Sequence, residues 1–281
     1  MSVVAQPAGK SQAELIYQIQ KRRRLMFNLN VTLSWIVLLG ILVFLFSGVR
    51  FNLGGLEIKT IQLDFSFMVE WAPYISGGIG ETLIVCVLSI ILACVLALVG
   101  ALGRLSKFPP FYALATFYVS LIRGTPLLLQ IIFFFLALPQ IGIRLSGLSA
   151  GVLALGINYG AYMSEIFRAG IQSIGIGQRE AALALGMTHG QILRRIILPQ
   201  ALRLIVPPTG NEFIAMLKDS ALISVTGFVH EILWRAQRAG RANFKSMEAL
   251  LIAAIFYWLM TIIFSTVQAR LETQLAKSER Q

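Results

Sequence analysis

The sequence predicts an all-α fold, a polytopic transmembrane helical bundle of about six spans, and three observations predict it. Of 281 residues, 57% are apolar and 13% charged, about half the charged fraction of an ordinary soluble domain, and the mean hydropathy is +0.75. The apolar residues gather in runs of about 20, enough for a helix to cross a ~30 Å hydrocarbon core and too long for the alternating ~10-residue strands of a barrel. The third observation is charge. Twenty-four Lys and Arg against 13 Asp and Glu leave +11, which would suggest nucleic acid in a soluble chain but marks the cytoplasmic loops of a membrane chain.

In chain order the spans fall near residues 27–47, 81–102, 111–138, 148–171, 209–228 and 247–267, the fifth being the least apolar. Lys21, Arg22, Arg23 and Arg24 precede the first. Its length, and the poor cleavage sequence Ser47-Gly48-Val49-Arg50, make it a retained helix instead of a signal peptide. Residues 48–80 read as an external or interfacial segment in which Phe65, Phe67, Trp71 and Tyr74 suit an aromatic belt. With the basic terminus, residues 1–26, inside, 17 of the 24 basic residues fall toward the cytoplasmic side, counting Arg123, Arg168 and Lys218 within spans, and the tail 271–281 lies there too. Both termini are therefore expected inside. Arg235, Arg238, Arg241 and Lys245 break this pattern; flanked by Trp234 and Phe244, they predict an amphipathic interfacial segment. Arg123-Gly-Thr-Pro126 reads as a helix start with Pro126 in its first turn, a structural role set against a gating one.

Several chemistries are excluded. Cys86 and Cys94 sit eight apart in one apolar run, and His189 and His230 are isolated. A disulfide framework, a metal site or a His-based triad is not expected. Gly9-Lys10-Ser11 resembles the end of a phosphate-binding loop, but Val4 stands where that loop needs its first glycine. No catalytic residue, metal or cofactor is expected in this chain.

The most informative stretch is 178–199, between the fourth and fifth spans. Gln178 to Leu185 is rich in helix formers, and Gly186 can adopt the left-handed conformation that ends a helix. Thr188 then caps a second helix, Gln191 completing a capping box, and Pro199 is expected to end it. The product is a helix, turn, helix suited to docking. Ala181, Ala182 and Ala184 allow close backbone approach, Glu180 offers a charge, and Leu183, Leu185 and Ile192 supply apolar area. An amphipathic loop lying on the inner membrane surface would have the same composition.

Glu180, Ala181, Ala182, Gly186, Ile196, Leu198 and Pro199 match, position for position, the "EAA" motif of ATP-binding-cassette (ABC) importer permeases: E-A-A, three residues, G, nine residues, I-x-L-P. Arg123-Gly-Thr-Pro-Leu-Leu-Leu-Gln130, the run 160–171 and Leu217-Lys-Asp-Ser-Ala-Leu222 resemble the polar amino acid permeases of the histidine, glutamine and glutamate type. The resemblance covers about residues 66–275. It implies the type I importer permease fold, a five-helix core within 81–270 to which the helix at 27–47 is an addition. It implies that loop 178–199 is the coupling element that sits in a cleft of an ATPase subunit. Its implied partners are an ATPase dimer that binds ATP and Mg, a second permease subunit, identical or from a sister gene, an external solute-binding protein, membrane lipid and an amino acid. The implied location is the bacterial inner membrane.

Charges inside spans point to a substrate pathway independently of family, because an ionised group at mid-bilayer costs roughly 2.5–3.5 kcal/mol on insertion scales. Asn158, Tyr162 and Glu165 fall on one stripe of the fourth span; in the fifth, Asn211 aligns with Lys218, and Glu212 with Asp219 and Thr226. Ser220 extends the polar face. Lys218 is placed to meet a carboxylate, and Asp219 or Glu165 an ammonium. The competing structural role is pairing, with Glu165 bound by Arg168 or Arg123. Two other functions would use the same residues, an ion-coupled secondary transporter and a membrane scaffold recruiting a cytoplasmic protein through 178–199.

Overall fold

The computed structural model describes residues 12–53 and 56–277. Gly9-Lys10-Ser11, the rest of the amino-terminal stretch and the tail from 278 lie outside the described residues. The chain divides after Asp64 into two units.

The first unit holds α1 (Gln12–Leu45) and a hairpin of β1 (Arg50–Leu53) and β2 (Leu56–Lys59). At 1.5 Å per residue α1 is about 51 Å long, so it starts well before the expected span and carries Lys21 to Arg24 on its first turns. Its apolar stretch, Ile16–Leu45, has mean hydropathy 2.1, and none of it is buried within the chain. The two strands pair antiparallel, Arg50 with Lys59 and Leu53 with Leu56, extended by a bridge from Ser47 to Gln62. An all-α expectation left no room for this hairpin. Its sequence signal was Gly54-Gly55 between two short alternating runs.

The second unit starts with α2 (Phe65–Ser76), and the expected segment boundary at residue 80 falls within the next helix, α3 (Ile79–Leu105). α4 (Pro109–Arg123) and α5 (Leu127–Ile132) follow, then a π turn (Phe133–Ala137) and a 3-10 turn (Leu138–Ile141). Next come α6 (Gly147–Gln172), α7 (Ile176–Ala184), α8 (His189–Ile192), a second π turn (Leu193–Ile197) and α9 (Leu198–Asp219). A 3-10 segment (Ser220–Thr226), α10 (Ile232–Asn243) and α11 (Ser246–Lys277) complete it.

Helix α6 is the axis of this unit. Glycines bring its backbone against α3: a Cβ on Gly156 would lie 2.6 Å from Leu92 Cδ2, and one on Gly160 2.8 Å from Leu96 Cβ. Such close approach by small residues is the usual way membrane helices gain packing energy. The residue pairs rise together, so α3 and α6 run parallel. On the other side Ile223 covers Gly151 and Ile205 covers Gly170, which sets α9 and the 3-10 segment that follows it antiparallel to α6. Cys86, Ala93, Leu155, Met163, Met216 and Ile223 form the core between these three helices, each fully buried.

Among the described residues, three helices are long and apolar enough to cross a membrane alone: α1, the run through α3, and α11. A fourth follows if α4 and the 127–141 helix, bent 104° at their junction, count as one broken span. Hydropathy alone does not carry the expected count of about six. α6 is about 39 Å long, but its side chains face protein more than lipid, so glycine, Asn158 and Ser164 replace apolar residues at its buried positions.

The break between α4 and α5 is stitched by one side chain. Pro126 has no N–H to continue the ladder, and the orphaned groups are met by Gln130, whose Nε2 donates to Ile122 O at 2.9 Å and to Thr125 Oγ1 at 2.9 Å. Arg123 therefore ends a helix instead of starting one, and Pro126 is the N-cap of α5.

α2, α10 and α11 pack around Ile75, Ile232, Ala236 and Ala249. Phe67 is buried there and stacks on Trp71, which meets Tyr74 edge-on. Phe67, Trp71 and Tyr74 thus pack with a protein core, with Phe65 exposed outside it. α10 is amphipathic, with Ala236, Ala239 and Gly240 inside and Arg238 and Arg241 exposed. Arg235 turns inward: it donates to His230 O at 2.7 Å and lies 3.7 Å from Glu81. Glu231, the N-cap, accepts from Leu233 N at 2.8 Å and Trp234 N at 2.6 Å and also from Tyr257 Oη. Burial raises its carboxyl above the ordinary range.

Candidate functional site: a polar cavity above a docking loop

The loop between α6 and α9 is held by its own small core, Ile171, Ile174, Ala182, Ile192, Ile197, Ala201 and Ile205. α7 ends at Ala184, and Gly186 takes φ +76°, the left-handed turn that L side chains resist. Thr188 and Gln191 form a reciprocal capping box: Gln191 N donates to Thr188 Oγ1 at 3.3 Å and Thr188 N to Gln191 Oε1 at 2.9 Å. Arg179 ties α7 back to α6 through Ile171 O at 3.0 Å, and Gln200 to Gln178 at 2.6 Å joins it to α9.

This packing divides the seven motif positions. Glu180, Ala181, Gly186 and Pro199 are exposed, Ile196 and Leu198 half-buried, and Ala182 buried. Ala182 thus serves the loop's own core, as does Ile192, so neither offers docking area. The exposed apolar surface is Ile176, Leu183 and Leu185, the last 82% exposed. Pro199 does not stop the helix. It is the second residue of α9, where a missing N–H is tolerated, and the π turn before it widens the backbone around the proline ring.

Between α4, α5, α6 and α9 lies a cavity of about 470 Å³, lined by Arg123, Thr125, Asn158, Tyr159, Tyr162, Glu212 and Asp219 among others. The volume lies within the range of small-molecule sites, about 300–1,000 Å³. Tyr159 Oη donates to Asp219 Oδ2 at 2.8 Å, and Asn158 Nδ2 to Gln130 Oε1 at 3.1 Å. Arg123 lies over the Tyr162 ring at 5.0 Å, a cation–π contact. Glu212 and Asp219, seven residues apart, present two carboxylates from one face of α9. The cavity therefore holds one guanidinium, two carboxylates, hydroxyls and an amide, the set needed to meet both ends of a zwitterion.

Of the sequence-derived pathway residues, the structure brings together Asn158, Tyr162 and Asp219. Lys218 is exposed and does not line the cavity, because neighbours on a helix point about 100° apart. Ser220 is 1% exposed and donates to Leu217 O at 2.8 Å; it is spent on the backbone. Glu165 lies one turn beyond the cavity toward the loop, bound by Arg104, Arg123 and Arg168, the structural pairing weighed against a substrate role. The cation that faces the cavity is Arg123, and Tyr159, Thr125 and Glu212 complete the lining. Glu212 sat on the predicted stripe with Asp219. Arg123 belongs to a segment singled out in the sequence, but its place on the cavity left no local signal, since its partners Tyr162 and Glu165 are 39 and more residues away in sequence.

Residues 89–277 match the family described as binding-protein-dependent transport system inner membrane component. The chain is 39% identical over 220 residues, 78% of its length, to all of the arginine transport system permease protein ArtQ of Bacillus subtilis. It is 42% identical over 226 residues, 80% of its length and 96% of the relative's, to the L-cystine transport system permease protein TcyB of the same organism. The glutamine transport system permease protein GlnP of Escherichia coli is 35% identical over 76% of this chain and 99% of its own. Among solved structures, one described as an amino acid ABC transporter with histidines superposes with TM-score 0.72 at 39% identity, covering 76% of this chain and all of that one. The MetNI methionine ABC transporter, at TM-score 0.62 and 19% identity over 73% of this chain and 96% of that one, shares the fold.

Proposed function

The chain belongs to the binding-protein-dependent transport system inner membrane components, and from that premise we propose that it is the permease subunit of an ATP-driven importer of polar amino acids. One observation carries the mechanism. α6 runs directly into the docking loop and the loop directly into α9, and these two helices supply Asn158, Tyr159, Tyr162, Glu212 and Asp219 to the cavity. A force on the loop acts on both cavity walls at once.

In this reading two such subunits, identical or sister chains, face each other in the bacterial inner membrane, each with its docking loop and both termini in the cytoplasm. Two ATPase subunits beneath them hold ATP and Mg and hydrolyse it; this chain binds neither and catalyses no reaction. Glu180, Ala181, Gly186 and the exposed Leu183 and Leu185 meet the ATPase. An external binding protein delivers the amino acid, whose ammonium is met by Asp219 and Glu212 and whose carboxylate is met by Arg123. Opposite charges on a preformed cavity fix the orientation of a zwitterion at little reorganisation cost.

The test is uptake into proteoliposomes containing the permease, its ATPase and its binding protein. Uptake of a radiolabelled amino acid that requires ATP and the ATPase subunit is expected. Uptake by the permease alone without ATP would overturn the reading in favour of an ion-coupled carrier.

A further inference from the structure

One carboxylate, Glu165, is shared by three guanidinium groups on three helices. Arg104 at the end of α3 is in hydrogen-bond contact with its Oε1, and Arg168, one turn along α6, donates to Oε2 at 2.9 and 3.0 Å. Arg123, at the end of α4, stands 3.6 Å from Oε1. The cluster has two positive charges in excess and is partly shielded, with Glu165 25% exposed.

Arg123 differs from the other two. Its contact with Glu165 is the longest, its side chain is the most exposed at 44%, and it also covers Tyr162 and lines the cavity. Glu165 keeps two arginines without it. Arg123 can therefore leave Glu165 without stranding a partly buried carboxylate, which is the change that makes breaking an ion pair expensive. A guanidinium binds carboxylates through a fork of donors, and a ligand carboxylate in the cavity would compete with Glu165 for that fork.

We propose that Glu165 is a positioning residue that holds Arg123 as a latch between α4 and α6 on the loop side of the cavity, and that the carboxylate of the bound amino acid opens the latch by taking Arg123 from it. This rests on the amino acid reading of the cavity. A zwitterion bridges Asp219 and Glu212 on α9 to Arg123 on α4, and the α4 to α6 link loosens as that bridge forms. An amine with no carboxylate engages α9 only and leaves the link closed. The latch thus makes the inner end of the path responsive to the chemical group that defines an amino acid.

The experiment uses the assembled permease–ATPase complex and two ligands: the radiolabelled amino acid, of the twenty, that the wild-type complex takes up best, and the amine left when that molecule loses its carboxyl group. In Glu165→Gln the competing charge is gone, so binding of the amino acid is expected to tighten about fivefold or more, a typical size for coupling between sites, while binding of the amine is unchanged. Adding Arg123→Gln removes the gain. If both ligands shift equally, or neither shifts, the latch is refuted. Glu165→Asp keeps the charge for Arg104 and Arg168 but withdraws it by one methylene from the distant Arg123. It is expected to act in the same direction, and it decides the matter if the Gln variant does not assemble. If the wild-type complex takes up none of the twenty amino acids, the cavity reading falls and the latch with it; uptake with no ligand-selective effect removes the latch alone.

Discussion

Replacing Gly186 tests whether the docking loop works through its backbone. Gly186 has φ +76°, and a Cβ placed there would meet nothing within 4 Å. Any effect of a small side chain must then come from the torsion and not from a clash within the chain. For a non-glycine residue the left-handed conformation costs about 1–2 kcal/mol, with asparagine tolerating it best. A strained turn relaxes when the loop is free and must be rebuilt when it docks, so apparent affinity for the ATPase should fall by the strain, a factor of about 5–30 for alanine. The expected order is Gly, then Asn, then Ala, with Gly186→Trp weakest because its ring stands on the docking face. The assay is the dissociation constant of purified ATPase for the permease in detergent, with uptake in proteoliposomes alongside. Alanine binding as well as glycine, or better than asparagine, would refute a docking surface set by this turn.

Two further outcomes follow from the packing. Asp219→Asn should raise the KM for uptake about tenfold or more, as expected for losing a charged hydrogen-bond partner, whereas Lys218→Ala should stay within about twofold of wild type; kinetics that ranked them the other way would return Lys218 to the pathway. Gly156→Ala places a Cβ 2.6 Å from Leu92 and should lower the stability of the purified permease by about 1–3 kcal/mol. Leu92→Ala in the same chain should recover part of it, and Gly175→Ala, with open space around its Cβ, should change nothing in a thermal melt.

The parts of this molecule legible in its sequence are those whose causes lie within a few residues. Gly186 and the Thr188–Gln191 box specify the loop because the groups they satisfy are three or four positions away. The same locality misled at Pro199, which reads as a stop until the π turn upstream is seen. In the cavity, helical spacing groups Asn158 with Tyr162 and Glu212 with Asp219, since a stripe is a property of one helix. Which stripe faces inward is set by neighbouring helices. So Lys218 and Asp219 could not be told apart, and Glu165 could not be seen as taken by Arg104, 61 residues away. Mean hydropathy likewise singles out α1, α3 and α11 but not α6, whose buried positions hold glycine, Asn158 and Ser164, nor α9, which carries Arg203, Asn211, Glu212, Lys218 and Asp219.

The π turn at Leu193–Ile197 also sets the phase between the two working surfaces. Such a turn holds one residue more than an α turn, so the residues beyond it sit about 100° back from where an unbroken α-helix of the same length would put them. α8, at the foot of the docking loop, is joined to the cavity face of α9 by continuous helix, and that offset fixes their relative direction. Forcing this turn into a plain α-helix of unchanged length would swing the stripe bearing Glu212 and Asp219 by about 100° around α9 relative to α8, whereas removing one of its residues together with the bulge would leave both ends in their present directions.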